Sequence, residues 1–147
     1  MLIGSIGWLS LGSMVVAQLL KPFLNAKAEG IRAIGRILDT GGMPSSHSAL
    51  VTTLTLSIYS VEGGSSILFS ISLIFSLYFI FEATGLRQEV GRQAQVLNEM
   101  VDELQETHQV DRRRLKELVG HSWQEVFGGV VVGVVVFLLG RGWIAAS

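Results

Sequence analysis

The chain has 147 residues, of which 49% are hydrophobic, and a formal net charge of −1. This composition, with a positive mean hydropathy, indicates a small membrane protein that crosses the bilayer several times. The absence of cysteine excludes disulfide bonds and thiolate metal sites. We expect neither a cofactor nor a nucleic-acid partner.

Four apolar segments predict the membrane-spanning helices. Each is near or below the roughly 20 residues that a helix needs to cross a bilayer. The first has no basic leader and no cleavage pattern before Lys21, so we expect a retained helix and not a secretory signal. The prediction is an all-α integral membrane protein, one domain over residues 1–147, with about four transmembrane helices in a bundle. The four segments are residues 2–20, 45–61, 66–81 and 126–144.

The basic residues predict the orientation in the membrane. Ten of the 11 Lys and Arg residues lie in two connections, one after the first apolar segment and one after the third. A four-helix topology puts both connections on one side, which the positive-inside rule makes cytoplasmic, with both termini opposite. The ten are Lys21, Lys27, Arg32, Arg36, Arg87, Arg92, Arg112, Arg113, Arg114 and Lys116.

The two basic connections differ in their apolar periodicity. Residues 25–38 have apolar side chains at helical spacing between basic ones, which predicts a short amphipathic helix at the membrane surface. Residues 86–119 predict a longer helix or helical hairpin, packed against itself, the bilayer or a second subunit. Its apolar heptad positions are Val90, Ala94, Leu97, Val101, Leu104, Leu115 and Leu118, interrupted at His108 and Asp111.

Residues 41–48, Gly-Gly-Met-Pro-Ser-Ser-His-Ser, form a candidate anion-binding segment at the start of the second apolar helix. The glycines allow a tight backbone approach, Pro44 suits a first helical turn, and Ser45 or Ser46 can cap the free amides. Unpaired amides and the positive end of the helix dipole together attract phosphate. The alternative is a well-capped transmembrane helix with an incidental His47.

A second candidate site precedes the last apolar segment. His121 and Glu125 are four residues apart, so on a helix the carboxylate could orient the imidazole. The alternative, which does not exclude catalysis, is a capping box with Ser122 as N-cap and Glu125 at the third position. Lys21, Arg87 and Arg92 are predicted on the same side of the membrane and are suited to binding phosphate oxygens, although Lys21 and Arg87 could instead be interfacial anchors.

These motifs together resemble the divergent branch of the type 2 phosphatidic acid phosphatase and vanadium haloperoxidase superfamily. The resemblance runs in order over nearly the whole chain, and the block at residues 41–49 is its most specific part. The matching stretches are Lys21-Pro22, residues 41–49, Gly85-Leu86-Arg87, residues 91–94, Leu97-Asn98, residues 118–121 and Glu125-Val126.

The resemblance implies metal-independent hydrolysis of a lipid phosphate monoester, with an isoprenoid or glycerolipid phosphate as substrate. By this resemblance His121 attacks phosphorus to form a phosphohistidine, Glu125 supports it, and His47 protonates the leaving oxygen. Phosphate would be bound by Lys21, Ser45 and Ser46. The superfamily's motif arginines would be replaced either by Arg87 and Arg92 or, after a small shift, by Arg114 or Lys116.

Three positions depart from the superfamily's pattern. No arginine follows Lys21 in the first motif, Ser46 stands in place of the loop glycine, and Leu115 stands where an arginine precedes the nucleophilic histidine. The chain also has four apolar segments, where the mainstream enzymes have six spans. The alternatives are therefore a non-catalytic lipid-phosphate binder that retains the anion pocket, or a structural membrane protein that forms homo-oligomers through residues 86–119.

Overall fold

The computed structural model describes residues 4–29, 42–107 and 122–146, which form helices and no strands. The all-α prediction is confirmed for these residues. Serine side chains cap the starts of three of the helices: Ser45, Ser66 and Ser122. The helices are α1 (Ser5–Glu29), α2 (Ser46–Glu62), α3 (Ile67–Thr84), α4 (Leu86–Thr107) and α5 (Trp123–Ala145).

The first helix is longer than the first apolar segment. It continues through Lys21 and Pro22 to Glu29, whereas we predicted that the span would end near Leu20. Asn25 to Glu29 therefore continue α1 and do not begin a separate amphipathic helix. Pro22 lies inside this helix, where it removes one backbone donor and its ring crowds the preceding turn. The rest of the predicted amphipathic helix, residues 30–38, lies outside the described residues.

The second helix is the centre of the bundle, because it contacts α1, α3 and α5. It runs antiparallel to α3, since Thr55 is hydrogen-bonded to Ser76 whereas Tyr59, further along α2, has its ring against that of Phe69, which comes earlier on α3. It runs parallel to α5, because residue numbers increase together along both helices, from the contact of Ser45 with Glu125 to the contact of Thr53 with Gly133. The starts of α2 and α5 and the end of α3 therefore share one end of the bundle, which we call the motif end.

Polar side chains face inward in this bundle and apolar side chains face outward. On α3, Ser72 and Ser76 are buried, while Ile74 and Phe81 are 67% and 70% exposed. On α1, Ser10 and Ser13 are buried and Leu19 is exposed. Water-soluble proteins rarely expose such continuous apolar surface, whereas helices that face lipid do so, and small polar residues form their contacts.

Small residues bring α2 and α5 into close contact. A Cβ atom added at Gly133 would lie 2.7 Å from the carbonyl oxygen of Ala49 and 2.8 Å from the Cβ of Thr52. A Cβ at Gly129 would overlap the carbonyl oxygen of Ser45. The glycines of the last segment thus permit a close approach within the chain.

The fourth helix contacts only α3 among the described helices. Its buried positions include Ala94 and Asn98, while Val90 and Leu97 are 46% and 49% exposed. The predicted heptad face is therefore only partly buried within the described structure, because Asn98, and not the heptad residue Leu97, follows Ala94 on the buried side. Packing of residues 86–119 against themselves, the bilayer or a second subunit stays a prediction, because residues 108–119 lie outside the described residues.

Two of the described helices are long and apolar enough to cross a membrane, at Ser5–Leu24 and Trp123–Ala145. A shorter apolar helix occupies Ile67–Glu82. The central helix α2 has buried hydroxyl groups, including those of Thr53 and Thr55, which lower its hydropathy. Because α1, α3 and α5 contact α2, these hydroxyls face protein and not lipid.

Candidate functional site

The segment before α2 turns sharply into the helix. Gly42 has a φ of 94°, a conformation that favours glycine, and the Met43–Pro44 peptide bond is cis. Ser45 is the N-cap and the helix begins at Ser46. We had predicted Pro44 in the first turn of the helix. It lies before the cap instead, because Ser45, which follows it, is already the N-cap.

Ser45 connects the starts of two helices. Its side chain is fully buried and accepts hydrogen bonds from the amide of Ser48 at 3.3 Å and from the hydroxyl of Ser48 at 3.1 Å. Its backbone amide donates to the carbonyl oxygen of Glu125 at 2.8 Å. The hydroxyl thus has a capping role, and the main chain fixes the motif beside the first turn of α5.

Ser46 and His47 occupy the first two positions of α2. Ser46 is buried and His47 is half-buried. His47 also lies at one end of an apolar groove between α2 and α3, the α2–α3 groove, whose walls include Leu54 and Phe75. The imidazole is thus placed between the positive end of the α2 dipole and an apolar surface.

A capping box begins α5. The Ser122 hydroxyl accepts from the amide of Glu125 at 3.3 Å, and Oε2 of Glu125 accepts from the amide of Ser122 at 3.1 Å. The alternative that we considered for this pair is confirmed. The helix starts after residue 121, so helical spacing does not by itself align His121 with Glu125. His121 lies outside the described residues, and its pairing with Glu125 stays a prediction.

Lys21 is fully buried in α1. The side chain of Leu9, near the start of α1, lies against Gly140, near the end of α5, which indicates that these helices run in opposite directions. Lys21 follows Leu9 by about 18 Å along the helix axis, at a rise of about 1.5 Å per residue. The same distance back along α5 leads to Gly128, which adjoins Met43 and Pro44. Lys21 therefore lies level with the motif end.

The two predicted clamp arginines lie on α4. Arg87 belongs to its first turn, and its side chain is outside the described structure. Nη1 of Arg92 is 2.8 Å from Oε1 of Glu89, and both side chains are largely exposed. Since α4 contacts α3 but neither α2 nor α5 among the described helices, Arg92 is not brought beside the start of α2. Its role in binding phosphate stays a prediction.

Sequence reasoning missed two features that shape this end of the bundle. One is the partner of Gly129, because a glycine predicts a close approach without indicating which helix approaches. The other is the α2–α3 groove. Its signal was present in the helical spacing of His47, Leu50, Leu54 and Ile58, all of which lie on one face of α2.

The described structure defines a class of protein. Its apolar exterior is typical of an integral membrane protein, and two parallel helices begin side by side at an end that also contains a buried lysine. Helix N-termini and a cation together favour an anion. The chain belongs to the Divergent PAP2 family, whose family profile matches residues 5–136, which confirms the resemblance found in the sequence.

A curated relative agrees with this membership. The "Uncharacterized membrane protein YuiD" of Bacillus subtilis (strain 168) is 35% identical over 141 residues, which cover 88% of this chain and 89% of that protein. No solved structure matches the chain.

Proposed function

We propose that the chain is a multi-pass membrane protein in which α1, α2, α3 and α5 cross the bilayer. The inward polar and outward apolar side chains support this arrangement. So do the directions of the helices, because α2 and α3 are antiparallel and α2 and α5 are parallel. The motif end faces the cytoplasm and both termini lie opposite, in agreement with the positive-inside rule.

The motif end binds the phosphate group of a membrane lipid. Backbone amides of the first turns of α2 and α5 direct positive potential toward this end, and Lys21 adds a buried cation at the same level. Two parallel dipoles repel each other at their N-termini, and a bound anion offsets this repulsion. A phosphate monoester, with two negative charges, matches this potential better than a neutral headgroup.

The reaction is hydrolysis of a lipid phosphate monoester through a phosphohistidine. A ring nitrogen of His121 forms a bond to phosphorus as the bond from phosphorus to the lipid oxygen breaks, and His47 donates a proton to that oxygen. Water then attacks the phosphohistidine and gives a proton to His47, which releases inorganic phosphate and restores both imidazoles to their starting states. Both histidines follow from the family resemblance, and no metal takes part in these steps.

One observation carries the proposal: the hydrogen bond of 2.8 Å from the Ser45 amide to the Glu125 carbonyl oxygen. It joins the segment that contains His47 to the segment that directly follows His121. These segments are far apart in sequence, so their contact supports a composite site from two motifs.

Phosphate release by the detergent-solubilised protein tests the proposal. Dodecyl phosphate and phosphatidic acid are suitable substrates, compared for the wild type, His121→Ala and His47→Ala. We expect release to fall by at least about 100-fold in both variants, the usual contribution of an acid–base or nucleophilic group. His108→Ala is the matched control and should release phosphate at the wild-type rate. Equal release from all four proteins would refute the assignment.

A second candidate is a lipid-phosphate binder without turnover. It is favoured by the hydrogen bonds of Glu125 and Ser45, whose side chains are used in helix caps. It predicts saturable binding of dodecyl phosphate with no release under the conditions above, and weaker binding by Lys21→Met. Release that depends on His121 would exclude it.

A further inference from the structure

The α2–α3 groove has a volume of about 410 Å³, within the range of pockets that bind small molecules. Its walls are apolar side chains spaced three or four residues apart on each helix, which places them on two facing helical surfaces. They include Leu50, Leu54 and Ile58 of α2 and Ile71, Phe75 and Phe79 of α3.

Hydroxyl groups, including those of Ser72 and Ser76, form the floor of the groove. The Oγ1 of Thr55 and the Oγ of Ser76 are 2.7 Å apart, and Ser76 also donates to the carbonyl oxygen of Ser72 at 2.7 Å. Ser72 donates to the carbonyl oxygen of Phe69 at 2.9 Å. Because these hydroxyls are bonded within the chain, the groove offers hydrocarbon contacts and no unsatisfied polar group to an occupant.

The two ends of the groove differ. His47 of the phosphate motif lies at one end. At the other end the groove stops at Ile58 and Leu68, beside Tyr59 and Phe69, whose rings lie 5.2 Å apart. The groove thus connects a polar group at the motif end to a purely apolar end.

The length of the groove matches one leaflet of a membrane. From His47 to Ile58 the helical rise gives about 16 Å. Half of the roughly 30 Å hydrocarbon core of a bilayer is about 15 Å. A lipid with its phosphate at the motif end would therefore extend its chain to about the bilayer midplane along this groove.

We propose that the α2–α3 groove binds the hydrocarbon chain of the lipid phosphate, with the phosphate beyond His47, so that the substrate enters sideways from the leaflet at the motif end. This inference rests on the proposed function and specifies its substrate class. The substrate is a phosphate monoester with a long unbranched or isoprenoid chain, and short water-soluble phosphate esters lack the groove contacts. Ile71 and its neighbours determine the selectivity for chain length.

A tryptophan near the apolar end of the groove tests the inference. Ile71→Trp fills the groove, whereas Ile74→Trp is a matched control, because Ile74 lies on α3, is 67% exposed and does not line the groove. We expect Ile71→Trp to reduce phosphate release from dodecyl phosphate by at least about tenfold, as displacement of a bound chain does in other apolar pockets. Release from butyl phosphate should be the same in both variants and the wild type. Equal release of dodecyl phosphate by both variants would overturn the groove assignment and leave the phosphatase intact.

Photo-crosslinking separates the groove from the proposed catalysis. Dodecyl phosphate with a diazirine in mid-chain is irradiated with the protein, and the labelled peptides are mapped. We expect label in residues 50–58 and 68–79, displaced by dodecyl phosphate but not by dodecanol, and reduced by Ile71→Trp but not by Ile74→Trp. This result supports the groove even if no phosphate is released. Label spread evenly over the lipid-facing helices, or displaced equally by dodecanol, indicates ordinary lipid contact and overturns the inference.

Discussion

The central helix makes two opposite kinds of contact. Toward α5 it packs through glycine and backbone atoms, with Gly129 and Gly133 directly against Ser45 and Ala49. Toward α3 it contacts Ser76 through the hydroxyl of Thr55 and Phe69 through the ring of Tyr59, and large apolar side chains line the groove between the two helices. The α2–α5 contact brings the two backbones close together, whereas the α2–α3 contact leaves a groove of about 410 Å³. One helix can thus hold a site rigidly and also accommodate a flexible chain.

The largest effect is expected where the α2–α5 contact is broken. Gly133→Ala places a methyl group against the Ala49 carbonyl oxygen, so we expect the free energy of unfolding to fall by about 1–3 kcal/mol. Gly142→Ala is the control, since a Cβ there has nothing within 4 Å, and it should be neutral or slightly stabilising. Thermal melting in detergent measures both. Equal melting temperatures would mean that α2 and α5 are not in tight contact.

The caps of α2 and α3, Ser45 at the motif end and Ser66 at the opposite end, allow the two ends of the bundle to be compared. Ser45→Ala removes the buried oxygen that accepts a hydrogen bond from the Ser48 amide, so we expect the free energy of unfolding to fall by about 1–2 kcal/mol. Ser66→Ala, at the start of α3, should lower the free energy of unfolding by about 1 kcal/mol. Only Ser45→Ala should weaken binding of dodecyl phosphate, because only Ser45 positions the motif. Calorimetric titration of both variants measures the binding, and an equal loss in both would contradict a special role for Ser45.

Thr53 and Thr55 allow a hydrogen bond of the α2–α5 contact to be compared with one of the α2–α3 contact. Thr53 donates to the Gly133 carbonyl oxygen at 3.0 Å, and Thr55 bonds Ser76 in the groove floor. Thr53→Val and Thr55→Val should each destabilise by about 0.6 kcal/mol, the typical value for such bonds between membrane helices. The two bonds have no partner in common but lie two residues apart on α2, so the double variant tests whether they are independent. Independent contacts give the sum of the single effects within about 0.5 kcal/mol. A clear excess over the sum in melting experiments would show that the two contacts are coupled.

The smallest effect is expected on α4, outside both contacts. Arg92 and Glu89 form an exposed ion pair, with 72% and 59% of their side chains accessible. Glu89→Gln should change the free energy of unfolding by no more than about 0.5 kcal/mol. If Arg92 binds phosphate when released from Glu89, this variant should bind dodecyl phosphate more tightly than the wild type. Unchanged affinity would remove Arg92 from the phosphate site.

Local features of this fold could be predicted from the sequence. The Ser-x-x-Glu pattern at Ser122 predicts the capping box, and the serines before α2 predict its cap, because both interactions span only three residues. The end of α1 could not be predicted in this way. Lys21 and Pro22 are typical of a helix that leaves the membrane, yet burial of Lys21 by the surrounding structure outweighs this local preference.

Contacts between distant segments were harder to predict. Thr53 and Gly133 are 80 residues apart, and no periodicity in either segment indicates that they meet. The same holds for the candidate site. In the sequence, only the predicted membrane orientation indicated that the two motifs lie on the same side. Which atoms join them depends on the parallel packing of α2 and α5, which is a tertiary property.

The bond between Ser45 and Glu125 joins a backbone amide to a backbone carbonyl. Almost any residue can donate or accept through its main chain, so this junction does not depend on the chemistry of either side chain. Side chains around the motif end can therefore be exchanged in evolution while the two helix starts remain in register. A scaffold of this kind can lose, move or regain individual arginines while the backbone of the motif end stays in place.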